Sequence, residues 1–243
     1  GPGFAYEVVV ASDEACKNIL DRYTLFERKR TIGLLGNGRY FICVFGENNG
    51  VRKAAENNPV AFTVDRQNPL ISNSAEAAAA VPTNTPKLPE VTVTDNNTFQ
   101  VEWSQKDGQG ILKFSDKNDL FSQISASDDG VYVVTLTVKD AAGNTAIQDY
   151  QLNIDTRAPV VDAGDDITGS GASQMLSGSY VGDAANIFWS MVSGPEGGVL
   201  TFGNTSALAT TVFGGVTGIY VIRLAVTDGA GNTGTDTLVF NWN

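Results

Sequence analysis

A fifteen-residue segment occurs twice in this chain and constrains its fold more than any other feature. Residues 130–144 read Gly-Val-Tyr-Val-Val-Thr-Leu-Thr-Val-Lys-Asp-Ala-Ala-Gly-Asn, and residues 218–232 read Gly-Ile-Tyr-Val-Ile-Arg-Leu-Ala-Val-Thr-Asp-Gly-Ala-Gly-Asn. In both copies a tyrosine precedes an aspartate by eight residues, and a glycine follows that aspartate by three. A weaker third copy runs from Gly38 to Gly50. Repetition of this kind predicts an array of similar domains.

Apolar and polar residues alternate through each copy and through several segments that precede it. In residues 98–104, for example, Phe99, Val101 and Trp103 fall on one side of an extended chain. This alternation is typical of half-buried β-strands, whereas a helix would repeat its apolar residues every three or four positions. We therefore predict an all-β fold made of three tandem β-sandwich domains.

Two segments of the form Asp-x-x-x-Pro follow alternating strands and predict the domain boundaries. They are Asp65–Pro69 and Asp155–Pro159. Proline has a fixed φ and no backbone N–H, so it ends a strand ladder and stiffens the entry to the next domain. The predicted domains are residues 1–66, 67–156 and 157–243.

The first predicted domain is short. Its strand candidates are residues 4–10, Tyr23–Thr31, 39–45 and Val60–Val64, with at most one more. A full immunoglobulin-type sandwich has seven strands. The first domain is therefore expected to be either truncated or a reduced form of the same fold.

Four aromatic residues of the repeats are expected to be structural. Tyr132 and Tyr220 resemble the tyrosine of a tyrosine corner, whose hydroxyl donates a hydrogen bond to a neighbouring loop. Trp103 and Trp189 lie on an earlier strand of each repeat, at the position of the core tryptophan of an immunoglobulin-type sandwich. No cluster of loop aromatics that could stack on sugars is visible.

Two local patterns give further predictions. Trp242 alternates with Phe240, which we interpret as one of the two facing inward. The alanine-rich residues Glu76–Ala80 could form one helical turn, and the prolines that follow from Pro82 prevent a longer helix.

Composition excludes several classes of function. The net charge is −11, so a basic face for nucleic acid is not expected, and the chain contains no histidine. Without histidine a Ser-His-Asp triad, a Cys-His pair and a histidine-rich zinc site cannot be built. Paired carboxylates of the glycosidase type are conceivable in a chain with 27 acidic residues, but we predict that the protein is not an enzyme.

The two cysteines, Cys16 and Cys43, both lie in the first predicted domain. One disulfide in a secreted or surface protein and two buried free thiols are both compatible with this, and the disulfide is the preferred interpretation. No segment has the ~20 apolar residues of a membrane helix, and no signal peptide is visible. The initial Gly1-Pro2 is typical of a cleaved purification tag and predicts a piece of a longer protein.

The residues named so far resemble a known group of domains. The last predicted domain is similar to PKD-type domains of the immunoglobulin-like superfamily, the second is similar in its Trp-Ser and Gly-x-Tyr segments, and the first resembles a relative found in large bacterial surface proteins. Tyr6, Cys16 and Cys43-Val44 carry the likeness of the first domain. The likeness of the last domain is carried by Ala158-Pro159, Asp162-Ala163-Gly164-Asp165, Trp189-Ser190, Ser193-Gly194-Pro195, Gly218-Ile219-Tyr220 and Val226-Thr227-Asp228.

This resemblance implies three tandem immunoglobulin-like β-sandwich domains, in which acidic residues meet at each junction. The turn after the repeated aspartate should lie beside the loop before the tryptophan strand and face the preceding domain. The first junction would combine Asp65, Asp95, Asp140 and Asn144. The second would combine Asp155, Asp183, Asp228 and Asn232, with Asp162 as a further candidate.

Calcium at these junctions is the chemical hypothesis. Converging carboxylates repel one another, and Ca²⁺ takes six to eight oxygen ligands from Asp, Asn and backbone carbonyls. The competing interpretation is a metal-free turn in which the aspartate accepts backbone N–H bonds and Gly143 supplies a positive φ.

The sequence therefore predicts a non-catalytic segment of an extracellular bacterial adhesin or surface fibre. It would act as a stalk and as a binding module for a cell-surface glycan, a polysaccharide or a protein receptor. The alternative is a set of carbohydrate-contacting domains attached to a secreted hydrolase. In either case the segment is expected to be monomeric, not membrane-spanning and located outside the cell or on its surface.

Overall fold

The computed structural model describes residues 5–26, 30–48, 51–73, 82–171 and 173–243. The described residues form 21 β-strands and no helix, which confirms the all-β prediction. None of them therefore lies in a helix that could cross a bilayer. The helical turn predicted at Glu76–Ala80, the initial Gly1-Pro2 and Gly50 at the end of the third repeat copy lie outside the described residues.

The described residues up to residue 64 form one five-stranded sheet. Strand β1 pairs on one side with β2 and on the other with β3, and β3 pairs in turn with β4 and β5. The strands are β1 (Tyr6–Ala11), β2 (Ile19–Leu25), β3 (Gly38–Asn48), β4 (Val51–Ala54) and β5 (Val60–Val64).

A disulfide joins the loop after β1 to the middle of β3. Cys16 and Cys43 form it, with their Cα atoms 6.5 Å apart. Cys43 packs with Val9 and Ala11 in a small buried cluster. The strand predicted around Tyr23–Thr31 overlaps β2 but begins too late, because the turn at Cys16, where φ is 53°, lets β2 begin at Ile19. Residues 27–29 of that prediction lie outside the described residues.

The described residues between 70 and 154 contribute seven strands. They arrange as the three-stranded sheet β12-β11-β8 and the pairs β10-β9 and β6-β7. Their bounds are β6 (Leu70–Asn73), β7 (Val91–Thr94), β8 (Phe99–Gly108), β9 (Leu112–Phe114), β10 (Ile124–Ala126), β11 (Gly130–Asp140) and β12 (Thr145–Ile154).

The remaining nine strands form a four-stranded sheet, a three-stranded sheet and a pair. The order is β14-β21-β20-β17 in the first, β15-β19-β18 in the second, and β13 pairs with β16. The strands are β13 (Val160–Asp162), β14 (Ile167–Gly169), β15 (Gln174–Ser177), β16 (Ser179–Val181), β17 (Asn186–Ser193), β18 (Leu200–Phe202), β19 (Ala209–Gly214), β20 (Gly218–Thr227) and β21 (Thr233–Trp242).

Burial follows the alternation of the repeat. On β20 every second side chain from Tyr220 to Val226 is fully buried. Trp103 and Trp189 are also buried, which confirms that both are core residues. The interpretation that only one of Phe240 and Trp242 faces inward was wrong: residues two apart on a strand share a face, and both are buried.

The tyrosine hydroxyl makes the same bond in all three repeat copies. It donates to the backbone carbonyl four residues earlier: Tyr40 to Gly36 at 2.9 Å, Tyr132 to Asp128 at 2.6 Å and Tyr220 to Val216 at 2.6 Å. A buried hydroxyl that keeps a hydrogen bond contributes about 1 kcal/mol and fixes the loop before the strand. The tyrosine-corner prediction for Tyr132 and Tyr220 is confirmed.

The chain divides into two compact units. The first reaches to Ser72 and adds Thr92–Val101 and Thr137–Ile147; the second contains Asn73–Val91, Glu102–Leu136 and Gln148–Asn243. The division into domains at residues 66 and 156 stays a prediction.

Candidate metal centre

The turn after each repeated aspartate is closed by that aspartate and the asparagine four residues later. The Asp140 N–H donates to the Asn144 carbonyl at 3.0 Å, and the Asn144 N–H donates back to Asp140 Oδ1 at 2.8 Å. The corresponding bonds in the second copy, between Asp228 and Asn232, measure 3.0 and 2.9 Å. The intervening Gly143 has a φ of 98°, which confirms the positive φ expected from the sequence.

The same asparagine also holds the Asp-x-x-x-Pro segment that lies far earlier in the chain. Asn144 Nδ2 donates to the backbone carbonyl of Asp65 at 3.2 Å, inside the first unit. Asn232 Nδ2 donates to the carbonyl of Asp155 at 2.9 Å, inside the second unit. One carboxamide thus bonds both its own turn and the Asp-x-x-x-Pro segment, called the linker below, since its Nδ2 also donates to the turn aspartate.

Three carboxylates meet in the first unit. The ligand oxygens of Asp65, Asp95 and Asp140 all lie within 4.8 Å of one another, with Asp140 buried and the other two half-buried. Asn97 joins two of them, because its N–H donates to Asp95 Oδ1 at 2.7 Å and its Nδ2 donates to Asp65 Oδ2. The group therefore contains three negative charges and two carboxamide donors.

The corresponding residues in the second unit do not meet in this way. In residues 82–171 and 173–243, no group of three acidic side chains at such distances includes Asp155, Asp183 or Asp228. Asp183 is exposed in the loop before β17, and Asp162 is exposed at the end of β13. The reason is positional: Asp95 precedes its core tryptophan by eight residues, whereas Asp183 precedes Trp189 by six.

Both turn aspartates are held in the charged form. Burial raises the pKa of Asp140, but hydrogen bonds from Asn144, Gly143 and Ala142 outweigh burial, so the pKa lies below its usual value. The same balance, with donors from Asn232, Ala230 and Gly231, lowers the pKa of Asp228. Each carboxylate is therefore ionised at neutral pH, as a metal ligand must be.

The residues of the first unit suit a hard cation. Every available ligand atom is an oxygen, which is the donor that Ca²⁺ prefers, and the group contains no sulfur or imidazole that would favour zinc. Asn97 is the one member of the group that was not expected from the sequence, although the Asp-x-Asn spacing after β7 is a common side-chain-to-backbone turn. The metal assignment of all eight predicted residues stays a prediction.

Two family models match the chain. A model described as a bacterial Ig-like domain matches residues 70–156, and a model described as a K319L-like PKD domain matches residues 163–241. No curated protein matches the chain significantly.

Several solved structures are similar to the chain. Drosophila N-cadherin EC1-4 is 10% identical over 98% of this chain and 66% of its own, with a TM-score of 0.36. The Bacteroides ovatus glucan-utilization protein SGBP-B, in complex with a mixed-linkage heptasaccharide, is 18% identical over 72% of this chain and 48% of its own, with a TM-score of 0.29. The fibronectin(III)-like modules of Clostridium thermocellum CbhA are 11% identical over 72% of this chain and 94% of their own, with a TM-score of 0.39. The chain thus spans less than two thirds of the first two structures.

Proposed function

Because the chain contains a bacterial immunoglobulin-like domain followed by a PKD-type domain, we propose that it is a non-catalytic stalk and binding segment of an extracellular adhesin or surface fibre. The two matches confirm the resemblance drawn from the sequence over residues 70–156 and 163–241. Domains of these types are typically non-catalytic, and a structural disulfide is typical of proteins outside the cell. Its proposed ligand is the cell-surface glycan, polysaccharide or protein receptor predicted above.

The observation that carries the stalk role is that each linker is hydrogen-bonded from two sides. At the first linker Asn37 Oδ1 accepts the Arg66 N–H at 3.0 Å, while Asn144 donates to the Asp65 carbonyl. Backbone groups held in this way cannot rotate freely, and Pro69 restricts the chain further. A stalk needs such linkers, because a flexible linker would let neighbouring domains reorient.

The second linker is held by different residues in the same manner. Asp129 Oδ1 accepts the Thr156 N–H at 2.9 Å, and Asn232 donates to the Asp155 carbonyl at 2.9 Å. The Asp129 carboxylate also pairs with Arg157 at 3.3 Å. The recurrence of the arrangement at both Asp-x-x-x-Pro segments supports a role in the array and not an accident of one loop.

Calcium is the second element of the proposed function. Asp65, Asp95 and Asp140 would supply carboxylate oxygens to the ion, which would join the linker, the pre-tryptophan loop and the repeat turn. The added charge of the cation would remove the repulsion among the three carboxylates. The result would be a stiffer junction wherever the ion is abundant, as it is outside cells.

We expect calcium to raise the melting temperature of the wild-type chain. Weak extracellular calcium sites have dissociation constants of about 1 mM. At such a site, about 10 mM Ca²⁺ stabilises the native state by about 1.4 kcal/mol. For a domain of this size that corresponds to roughly 5 °C or more. Calorimetry in calcium and in a chelator measures the difference.

Two matched variants locate the ion. Asp95→Asn should abolish the calcium-dependent shift, whereas Asp183→Asn, in the loop that lies outside any such group, should leave it intact. An unchanged melting temperature of the wild-type chain in calcium would refute the calcium site. The metal-free turn closed by the asparagine would then be the correct interpretation.

A further inference from the structure

The sheet of the first 64 residues carries a cavity of about 530 Å³ that is separate from the acidic centre. It opens on one face of the sheet, where Glu7 lies opposite Phe45 and Arg52 lies opposite Glu47. Arg22, on the neighbouring strand β2, completes the charged part of the lining. The volume is within the range of small-ligand sites.

The charged groups of this cavity have more donors than acceptors. Glu7 is 23% exposed and uses both oxygens: Arg22 Nη1 lies 3.0 Å from Oε1, and Arg52 Nε lies 2.6 Å from Oε2. Within the described residues, neither Nη atom of Arg52 has a protein partner. Both arginine side chains are half-exposed. A carboxylate that is already shared cannot satisfy two guanidinium groups.

The position of Arg52 is fixed before any ligand arrives. Its guanidinium carbon lies 3.4 Å from the centroid of the Phe45 ring, and Glu7 holds its Nε. A planar guanidinium held in this way presents its two terminal nitrogens as a fork, which matches the two oxygens of a carboxylate or sulfate. Little side-chain entropy is then lost on binding.

Charge is distributed unequally along the chain. Residues 1–66 contain nine Lys and Arg against eight Asp and Glu, whereas residues 67–243 contain seven against 19. Net charges of +1 and −12 follow. An anionic ligand is therefore repelled by most of the chain but not by its first part, and beyond about 10 Å the repulsion is screened at 0.1 M salt.

We propose that this cavity binds an anionic sugar, with the carboxylate of a uronate or the sulfate of a sulfated hexose accepting hydrogen bonds from the free guanidinium nitrogens of Arg52 and Arg22. The inference rests on the proposed role as a binding segment and assigns that role to the first sheet. Glu47 lines the cavity opposite Arg52 and opposes an anion, so it limits the affinity. Acidic residues of a second copy are the competing occupant.

Titration calorimetry on the whole chain tests the site. The probes are an oligouronate, a sulfated galactan oligosaccharide and a neutral glucan oligosaccharide of equal length. We expect one anionic probe to bind at least about tenfold more tightly than the neutral one. Arg52→Gln should weaken that binding about tenfold, and Glu47→Gln should strengthen it, which a merely destabilised protein would not show.

Arg39→Gln is the matched control, because it removes the same charge from the same sheet outside the cavity. An equal loss in Arg39→Gln and Arg52→Gln would overturn the site, since only general charge would then matter. Preference for the neutral probe would overturn it and leave the wider binding role standing. A third result would also overturn the sugar site: the wild type binds no sugar and sediments as a dimer, and Arg52→Gln sediments as a monomer. The cavity would then be occupied by a second copy of the chain.

Discussion

Replacing Trp189 with alanine is expected to remove about 3–5 kcal/mol from the stability of the last predicted domain. The indole is fully buried among the side chains of β20 and β21, and its Nε1–H donates to the Ala207 carbonyl at 2.9 Å. The substitution leaves a cavity and an unpaired carbonyl. A domain of this size has about 5–10 kcal/mol in total, so its melting transition should fall by at least about 12 °C.

Phe188→Ala is the control for that experiment. Phe188 is the preceding residue on β17, points to the other face and is 53% exposed. Its removal should cost less than about 1 kcal/mol, because little buried surface is lost. Scanning calorimetry of both variants measures the two shifts, and equal shifts would contradict the assignment of Trp189 to the core.

Reducing the disulfide is expected to unfold the first sheet while the rest of the chain stays folded. Cys16 and Cys43 close a loop with a sequence separation of 27, for which the loss of the crosslink costs about 3–4 kcal/mol. Within the described residues, the cluster beside it consists of the buried Val9, Ala11 and Cys43 with the partly buried Cys16 and Phe45, so few apolar contacts compensate. A single sheet with so small a core has little stability to lose.

The measurement is a calorimetric scan with and without a reductant. The chain contains two cysteines, so a reductant can act nowhere else. One transition should disappear or move to a lower temperature, and the transition that Trp189→Ala affects should remain in place. Detection of two free thiols in the native, unreduced protein would contradict the disulfide.

Local features of this fold were predictable from the sequence because short-range geometry determines them. The bond of Tyr220 to Val216 spans four residues, and the turn from Asp228 to Asn232 spans four, so both follow from spacing alone. The alternation on β20 likewise determines which side chains enter the core. The weak copy near Tyr40 makes the same tyrosine bond despite its divergent sequence.

Long-range convergence was not predictable in the same way. Asp95 and Asp183 both lie in loops before a core tryptophan, but a shift of two residues within the loop brings only Asp95 to the linker carboxylate. Asn97 and the arginine pair around Glu7 depend on which strands become neighbours, and residues 7, 22 and 52 have no periodic relation in the sequence. Strand pairing decides such contacts.

The most direct test of the central claim, that the asparagine of each repeat stiffens the preceding linker, is nitrogen-15 relaxation of the linker amides. Arg66, Gln67, Thr156 and Arg157 each donate an N–H to a side chain, so their order parameters in the wild type should reach about 0.85, as in the strands. Asn144→Ala and Asn232→Ala should each lower the values at their own linker and leave the other linker unchanged. Values below about 0.6 at both linkers of the wild type would contradict the account.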